Sequence, residues 1–129
     1  MQDEPTPAEI LESVATFLRE VLPAKLPPRE AFDARVAANA LELVRRQITT
    51  EASTHDAAAR QRLVELLGVD ASLDELNRLL CTRIAAGELG LSSHELMGYL
   101  WSTTLAKLAV DQPTYASYQA TLAERDAKR

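Results

Sequence analysis

Residues 32–48 read FDARVAANALELVRRQI, and this stretch decides the fold. Wound at about 100° per residue, it puts Phe32, Val36, Ala37, Ala40, Leu43, Val44 and Ile48 on one arc about half the circumference wide, the pattern of an amphipathic helix. That arc is expected to be buried, and the helix, over about 29–50, to be the one against which the others pack. Along one edge of the arc lie Arg35, Asn39, Glu42 and Arg46 at spacings of four, three and four, so their side chains follow one another in a single row.

The remaining composition agrees with a helical chain. Its 129 residues suffice for one domain that buries roughly two thirds of its unfolded surface around a single core. Apolar residues at 47% and charged residues at 26% fit a soluble globular protein and exclude intrinsic disorder. Four glycines and 5% aromatics, with abundant Leu and Ala, favour helices over strands. The expected fold is all-α: a single-domain bundle of five main helices and a short C-terminal helix, with the central helix packed against a helix over about 93–110. Residues 1–5 and 125–129 are expected to fray.

A formal net charge of −5 with scattered Lys and Arg argues against nucleic acid as a partner, since neutralising phosphates needs a basic surface. One cysteine, Cys81, allows no intrachain disulfide, and no charged-then-apolar leader precedes the first helix. The expected compartment is the cytoplasm. Apolar runs fall far short of the ~20 residues that cross a bilayer, so no membrane partner is expected.

Punctuation along the chain marks each helix. Thr6, Pro7 and Glu9 give an N-cap, a first-position proline and a capping-box carboxylate. Behind them Ile10, Leu11, Val14, Phe17, Leu18, Val21 and Leu22 supply an apolar face. Pro23 should stop this first helix, and Pro27 with Pro28 should stiffen the corner into the central one. Ser53, Thr54 and Asp56 offer caps for a third helix with Ala59, Leu63, Leu66 and Leu67 in a stripe and Gly68 as its stop. Ser72 with Glu75 opens a fourth, carrying Leu73, Leu76, Leu80 and Ile84 inward and closing at Gly87. Ser92 with Glu95 opens a fifth, where Leu96, Met97, Leu100, Trp101, Thr104, Leu105 and Leu108 share a face that should pack on the central helix. After Pro113, TYASYQATLAERDAKR (114–129) reads as a last short helix with Tyr115, Tyr118 and Leu122.

Catalytic chemistry is not legible in this chain. His55 and His94 sit at separate polar helix starts, and Cys81 stands alone as a small residue expected to be buried, so neither a metal site nor a nucleophile–base pair is implied. Gly68, Gly87, Gly90 and Gly98 form no phosphate cradle, so the chain is not itself a phosphotransferase. A DNA-reading helix-turn-helix over 72–110 would need an exposed basic row that the fifth helix lacks. Trp101 and Met97 are expected in the core.

Two polar groupings remain. Arg35, Asn39 and Arg46 rim the central helix, where Asn39 is a poor interior helix former that needs a partner. Lys107 and Asp111, four apart at the end of the fifth helix, stand beside Pro113 and Tyr115. Each grouping has a structural explanation, a network to a neighbouring helix or a helix-end salt bridge, and a functional one, a small anion site or a partner-docking corner.

The segments FDARVAANALELVRRQI (32–48), LNRLLCTRIAAGEL (76–89) and LAKLAVDQPTY (105–115), after an opening helix PAEILESVATFLREVLP (7–23), resemble a bacterial family of small helical proteins classed as a domain of unknown function. The likeness covers nearly the whole chain. Such proteins are encoded beside a kinase of the aminoglycoside-phosphotransferase type and an acyl-CoA dehydrogenase, and the chain is similar to the small non-catalytic partner of the kinase that phosphorylates 4-hydroxyacyl-CoA thioesters in levulinate catabolism. The resemblance implies an accessory subunit required for kinase activity, without catalytic residues or a cofactor of its own. ATP, magnesium and the acyl-CoA would be held mainly by the kinase, with acyl-CoA possible at the shared surface. Arg35, Asn39, Arg46, Lys107, Asp111 and Tyr115 fall in the resembling segments and are the expected contact residues. The alternative is a stand-alone helical protein that binds a CoA ester or another anion, with Arg35 and Lys107 receiving the charge.

Overall fold

The computed structural model describes residues 4–49 and 52–129. Among these it is all-α, with six helices: α1 (Pro7–Thr16), α2 (Pro28–Thr49), α3 (Ala52–Leu67), α4 (Leu73–Ala85), α5 (His94–Asp111) and α6 (Ala116–Ala127). The chain forms two compact units, Met1–Ala52 and Ser53–Arg129, each described by itself. The expected pairing of the central helix with the tryptophan-bearing helix would join one unit to the other and stands as an expectation. The frayed lead-in expected at residues 1–5 and the end of the central helix at Thr50 fall partly outside the described residues.

The first unit is a helical hairpin, and its start is the one the sequence marks. The Glu9 amide donates to Thr6 Oγ1 at 3.3 Å, the Thr6 amide donates back to Glu9 Oε2 at 2.7 Å, and Pro7 fills the first turn. This reciprocal pair satisfies two otherwise orphaned donors. It also holds the Glu9 carboxyl below its ordinary range, through the Thr6 backbone first and its hydroxyl second. Instead of continuing as α-helix to Leu22, the chain widens into a π-helical turn over Phe17–Val21, where the Leu22 amide donates to the Phe17 carbonyl at 3.0 Å. Pro23 then opens a short 3₁₀ turn, Pro23–Lys25, before α2 enters at Pro28.

Small residues close the hairpin. Along the seam the buried or half-buried positions are Ala8, Leu11, Ala15, Leu18 and Leu22 on α1 and its extension and Ala31, Ala34, Ala38, Leu41 and Arg45 on α2, where Glu42 and Arg46 are half-buried as well. Both rows step by three, four, three and four, the spacing of a helix–helix seam. Ala38 is fully buried and Ala15 nearly so. The arc expected to be buried is turned the other way: Phe32, Val36, Leu43, Val44 and Ile48 are all exposed, Phe32 by 61%. Side-chain size misdirected the expectation, because a tight proline-bounded corner brings two helices together along the line that permits closest approach, and that line is the alanine row. On α1 the same division leaves Ile10, Val14, Phe17 and Val21 exposed while Leu11, Leu18 and Leu22 are half-buried.

The second unit has a conventional apolar core of Leu63, Leu67, Leu76, Leu80, Leu96 and Tyr99 from α3, α4 and α5. Gly68 ends α3 at φ +70° and Gly87 follows α4 at φ +75°, a left-handed conformation that glycine adopts without Cβ strain. Arg60 secures the turn between α3 and α4, its Nε donating to the Ala71 carbonyl at 2.9 Å and its Nη2 pairing with Asp70. Ser72 and Glu75 form the expected capping box, and the bonds from the Ser72 hydroxyl and amide hold the Glu75 carboxyl low. Three details differ from expectation. The cap of α5 is Ser93, which accepts from the Leu96 amide at 3.2 Å, one residue later than Ser92. α3 begins at Ala52, so Ser53, Thr54 and Asp56 lie inside it rather than ahead of it. Ile84 is exposed where an inward position was expected. Within α6, Tyr118 is buried and Leu122 half-buried, while Tyr115 stands exposed at the helix cap.

Candidate functional site

On the hairpin, α1 and α2 bring a polar row together opposite much of the exposed apolar surface. Arg19, in the π-helical turn, donates from Nη2 to Asn39 Oδ1 at 3.3 Å, so the partner Asn39 requires is an arginine of α1. The site is exposed, and the bond is correspondingly weak. One turn further on, Glu42 accepts from Arg45 Nε and Nη2 at 3.1–3.2 Å. That bond first, then the charges of Arg45, Arg19 and Arg46, hold the Glu42 carboxyl below its ordinary range. Arg35 lies in the same row, exposed, with no hydrogen bond or ion pair among the described residues. Arg46 is half-buried. Helical spacing thus brings Arg35, Asn39 and Arg46 to one side of α2, as expected; their link to α1 through Arg19 was not legible, because nothing in the spacing of α1 tells which residue faces α2.

The second grouping lies on α5. Its buried line is Leu96, Tyr99 and Val110 with half-buried Thr103 and Ala106, again at three–four spacing. The face expected to be buried is covered only in part: Leu96 is buried and Leu105 and Leu108 are half-buried, but Met97, Leu100, Trp101 and Thr104 are exposed, Trp101 by 57%. Lys107 and Asp111 continue this face toward the C-terminal end of the helix, both exposed, and among the described residues no ion pair joins them. The helix-end salt bridge is therefore absent, and both charges are available. Just beyond the helix, Gln119 Nε2 donates to the Pro113 carbonyl and fixes the turn that presents Tyr115.

Sequence reasoning overlooked the residue that orients this helix. Tyr99 inserts into the core and donates its hydroxyl to Asn77 Oδ1 at 2.8 Å, while Asn77 Nδ2 donates to the Leu73 carbonyl at 3.0 Å. Tyrosine has no place in a simple apolar tally because it is amphipathic, yet a buried ring with a satisfied hydroxyl sets the rotation of a helix firmly. Once Tyr99 points inward, Trp101, about 160° round the helix from it, must point out. A shallow open cleft of about 390 Å³ beside Tyr99, lined by Arg62, Glu65, Leu66, Glu95 and Gly98, holds an arginine and two carboxylates but no enclosed pocket.

The described residues hold no other convergent chemistry of the kinds the sequence raised. No group of three His, Cys, Asp or Glu side chains converges as metal ligands, and no helix is long and apolar enough to cross a membrane. His55 and His94 are exposed, in agreement with their polar settings. Cys81 is exposed as well, against the expectation of a buried small residue, because α4 turns Leu76 and Leu80 inward and position 81 falls on the outer side.

The chain thus consists of a helical hairpin and a helical core unit, and each carries exposed apolar and charged residues. The chain belongs to the family described as domain of unknown function DUF6285, which matches residues 24–115. No curated protein and no solved structure matches it.

Proposed function

We propose that the chain is a non-catalytic accessory subunit that docks on an aminoglycoside-phosphotransferase-like kinase acting on 4-hydroxyacyl-CoA and is needed for that kinase to work. The observation that carries the docking half of this reading is the open face of α5, where Trp101 stands beside Met97 and Leu100 with Lys107 and Asp111 unpaired at its end. An exposed tryptophan ringed by apolar and then charged side chains is the composition of an interface hot spot, since aromatic anchors carry much of the binding free energy and rim charges select the partner. The kinase and its substrate enter through the family resemblance alone. ATP, magnesium and acyl-CoA belong in this reading to the kinase, with Lys107, Asp111 and Tyr115 as contacts on this unit and Arg35, Asn39 and Arg46 as contacts on the hairpin.

Co-expression with the kinase from the adjacent gene, followed by an assay of 4-hydroxyvaleryl-CoA phosphorylation with ATP and magnesium, tests the proposal. Turnover is expected only with both chains present, and Trp101→Ala should weaken co-purification and lower turnover at least tenfold with the helical signal unchanged. Full kinase activity in the absence of this chain would remove the reading.

A second reading has one observation in its favour. Arg35 has no hydrogen bond or ion pair among the described residues, and Arg19 on the same side of the hairpin bonds to the uncharged Asn39. That excess positive charge suits the phosphates or carboxylate of a CoA ester bound without any kinase. Thermal unfolding against rising CoA ester separates the two, because a specific ligand raises the midpoint with concentration and Arg35→Ala abolishes the rise.

A further inference from the structure

Arg19 touches Asn39, which marks one side of the hairpin. Ile10, Val14, Phe17 and Val21 lie roughly 100–180° round α1 and its π-helical extension from Arg19, and Ala37, Val44 and Ile48 lie about 140–180° round α2 from Asn39. These residues therefore share the opposite side, and six of them, Ile10, Val14, Phe17, Val21, Val44 and Ile48, are large, apolar and 42–50% exposed. On α1 they recur at four, three and four, a second seam parallel to the alanine seam but with nothing set into it.

We propose that this side of the hairpin is the interface with a second copy of the chain, hairpin against hairpin. The area fits. With roughly 150–200 Å² for each fully exposed apolar residue, these six leave about 450 Å² of apolar surface bare, in the range that on a soluble protein marks a binding site. Interfaces between identical subunits are about two-thirds apolar, so the patch corresponds to about 700 Å² per copy, close to the ~800 Å² of a standard specific interface.

Charge selects the orientation. The α1 stripe holds no charged residue, and among the described residues of α2 the charges nearest this side are Glu30 and Asp33, at the end next to the turn. A second copy placed turn end to turn end would set these carboxylates against their own duplicates. Placed turn end to open end, it sets them apart and lays each apolar stripe along the other. Two hairpins in that antiparallel arrangement form a four-helix bundle around a two-fold axis near Val14. Burial of this stripe also adds to what the hairpin has, since a seam of alanines with half-buried Leu11, Leu18, Leu22 and Leu41 removes only part of the apolar surface from water.

The test is the mass of the full chain in solution. Sedimentation equilibrium is expected to give twice the chain mass of 14.2 kDa at micromolar concentration. Val14→Glu with Ile48→Glu should raise the dimer dissociation constant at least a hundredfold, whereas Trp101→Ala, on the face assigned to the kinase, should leave it unchanged. Should the glutamate variants lose helicity, Val14→Cys in a Cys81→Ser background provides the second measurement, because a position near a two-fold axis cross-links to its own copy on mild oxidation. A chain that stays at single mass up to several hundred micromolar overturns the proposal. So does a dimer that survives both glutamates, one that cross-links through Trp101→Cys but not Val14→Cys, or a monomer in which Val14→Cys is closed to thiol reagents because another part of the chain covers it.

Discussion

The two units solve the problem of packing helices in opposite ways. In the hairpin the buried side chains are alanines, Leu11, Leu18, Leu22 and Leu41 are half-buried, and much of the apolar bulk stays outside; in the other unit leucines and a tyrosine fill the interior. Alanine seams let helices approach closely and lose no side-chain entropy, but each residue removes little surface from water. Leucine cores do the reverse. The hairpin therefore gains stability by covering its outer stripes, and the second unit already has a core of its own.

That contrast can be broken by substitution. The largest effect is expected at Leu76, which is fully buried: Leu76→Ala should destabilise the second unit by about 2–5 kcal/mol, by lost transfer free energy plus a cavity, measured by urea unfolding with a probe in that unit. Ala38→Leu in the hairpin should act by the opposite mechanism. It forces the seam apart at a cost of about 1–3 kcal/mol by overpacking, seen as loss of amide protection in α1 and α2. An Ala38→Leu variant with unchanged amide protection would show that the seam is loose rather than close-fitting.

Smaller changes sharpen the comparison. Tyr99→Phe removes the bond to Asn77 Oδ1 and should cost about 1 kcal/mol, with the Asn77 side chain left short of a donor. Gly98 on α5 has open space where a Cβ would sit, so Gly98→Ala should stabilise by about 0.5–1 kcal/mol in thermal unfolding, as expected for alanine in a helix interior.

Acid offers the mildest probe. Glu9 and Glu42 in the hairpin and Glu75 in the other unit all have carboxyls held below their ordinary range by hydrogen bonds. Their contribution is complete above the unfolded carboxyl value of about 4.3 and is lost as pH falls through the lowered folded values. Melting temperature should therefore hold steady from pH 7 to about 5 and decline below about 4. Thr6→Ala and Ser72→Ala should each flatten that decline.

Helix boundaries were legible wherever a side chain performs a local task. Thr6 with Glu9, Ser72 with Glu75, Gly68 and Gly87 all act within a few residues of themselves, and each stands where its chemistry implies. Faces were not legible to the same degree. Phe32, Val36, Leu43, Val44 and Ile48 form a convincing apolar arc, as do Met97, Leu100 and Trp101, yet all are exposed. Of the candidate site, the row of Arg35, Asn39 and Arg46 was readable from periodicity, whereas the part played by Arg19 and the absence of a Lys107–Asp111 ion pair depend on rotamers that no spacing rule contains.

The sequence by itself determined that this chain is helical, where the helix ends marked by Thr6, Ser72, Gly68 and Gly87 lie, and which polar residues share a row, because capping, glycine conformation and the 3.6-residue period are local properties of the backbone. Only the tertiary structure decided which face of each helix is covered. Burial is a property of pairs of surfaces, and the close approach allowed by Ala15, Ala34 and Ala38 in the hairpin, together with the hydrogen-bonded insertion of Tyr99 in the second unit, outweighed the larger apolar area on the opposite faces.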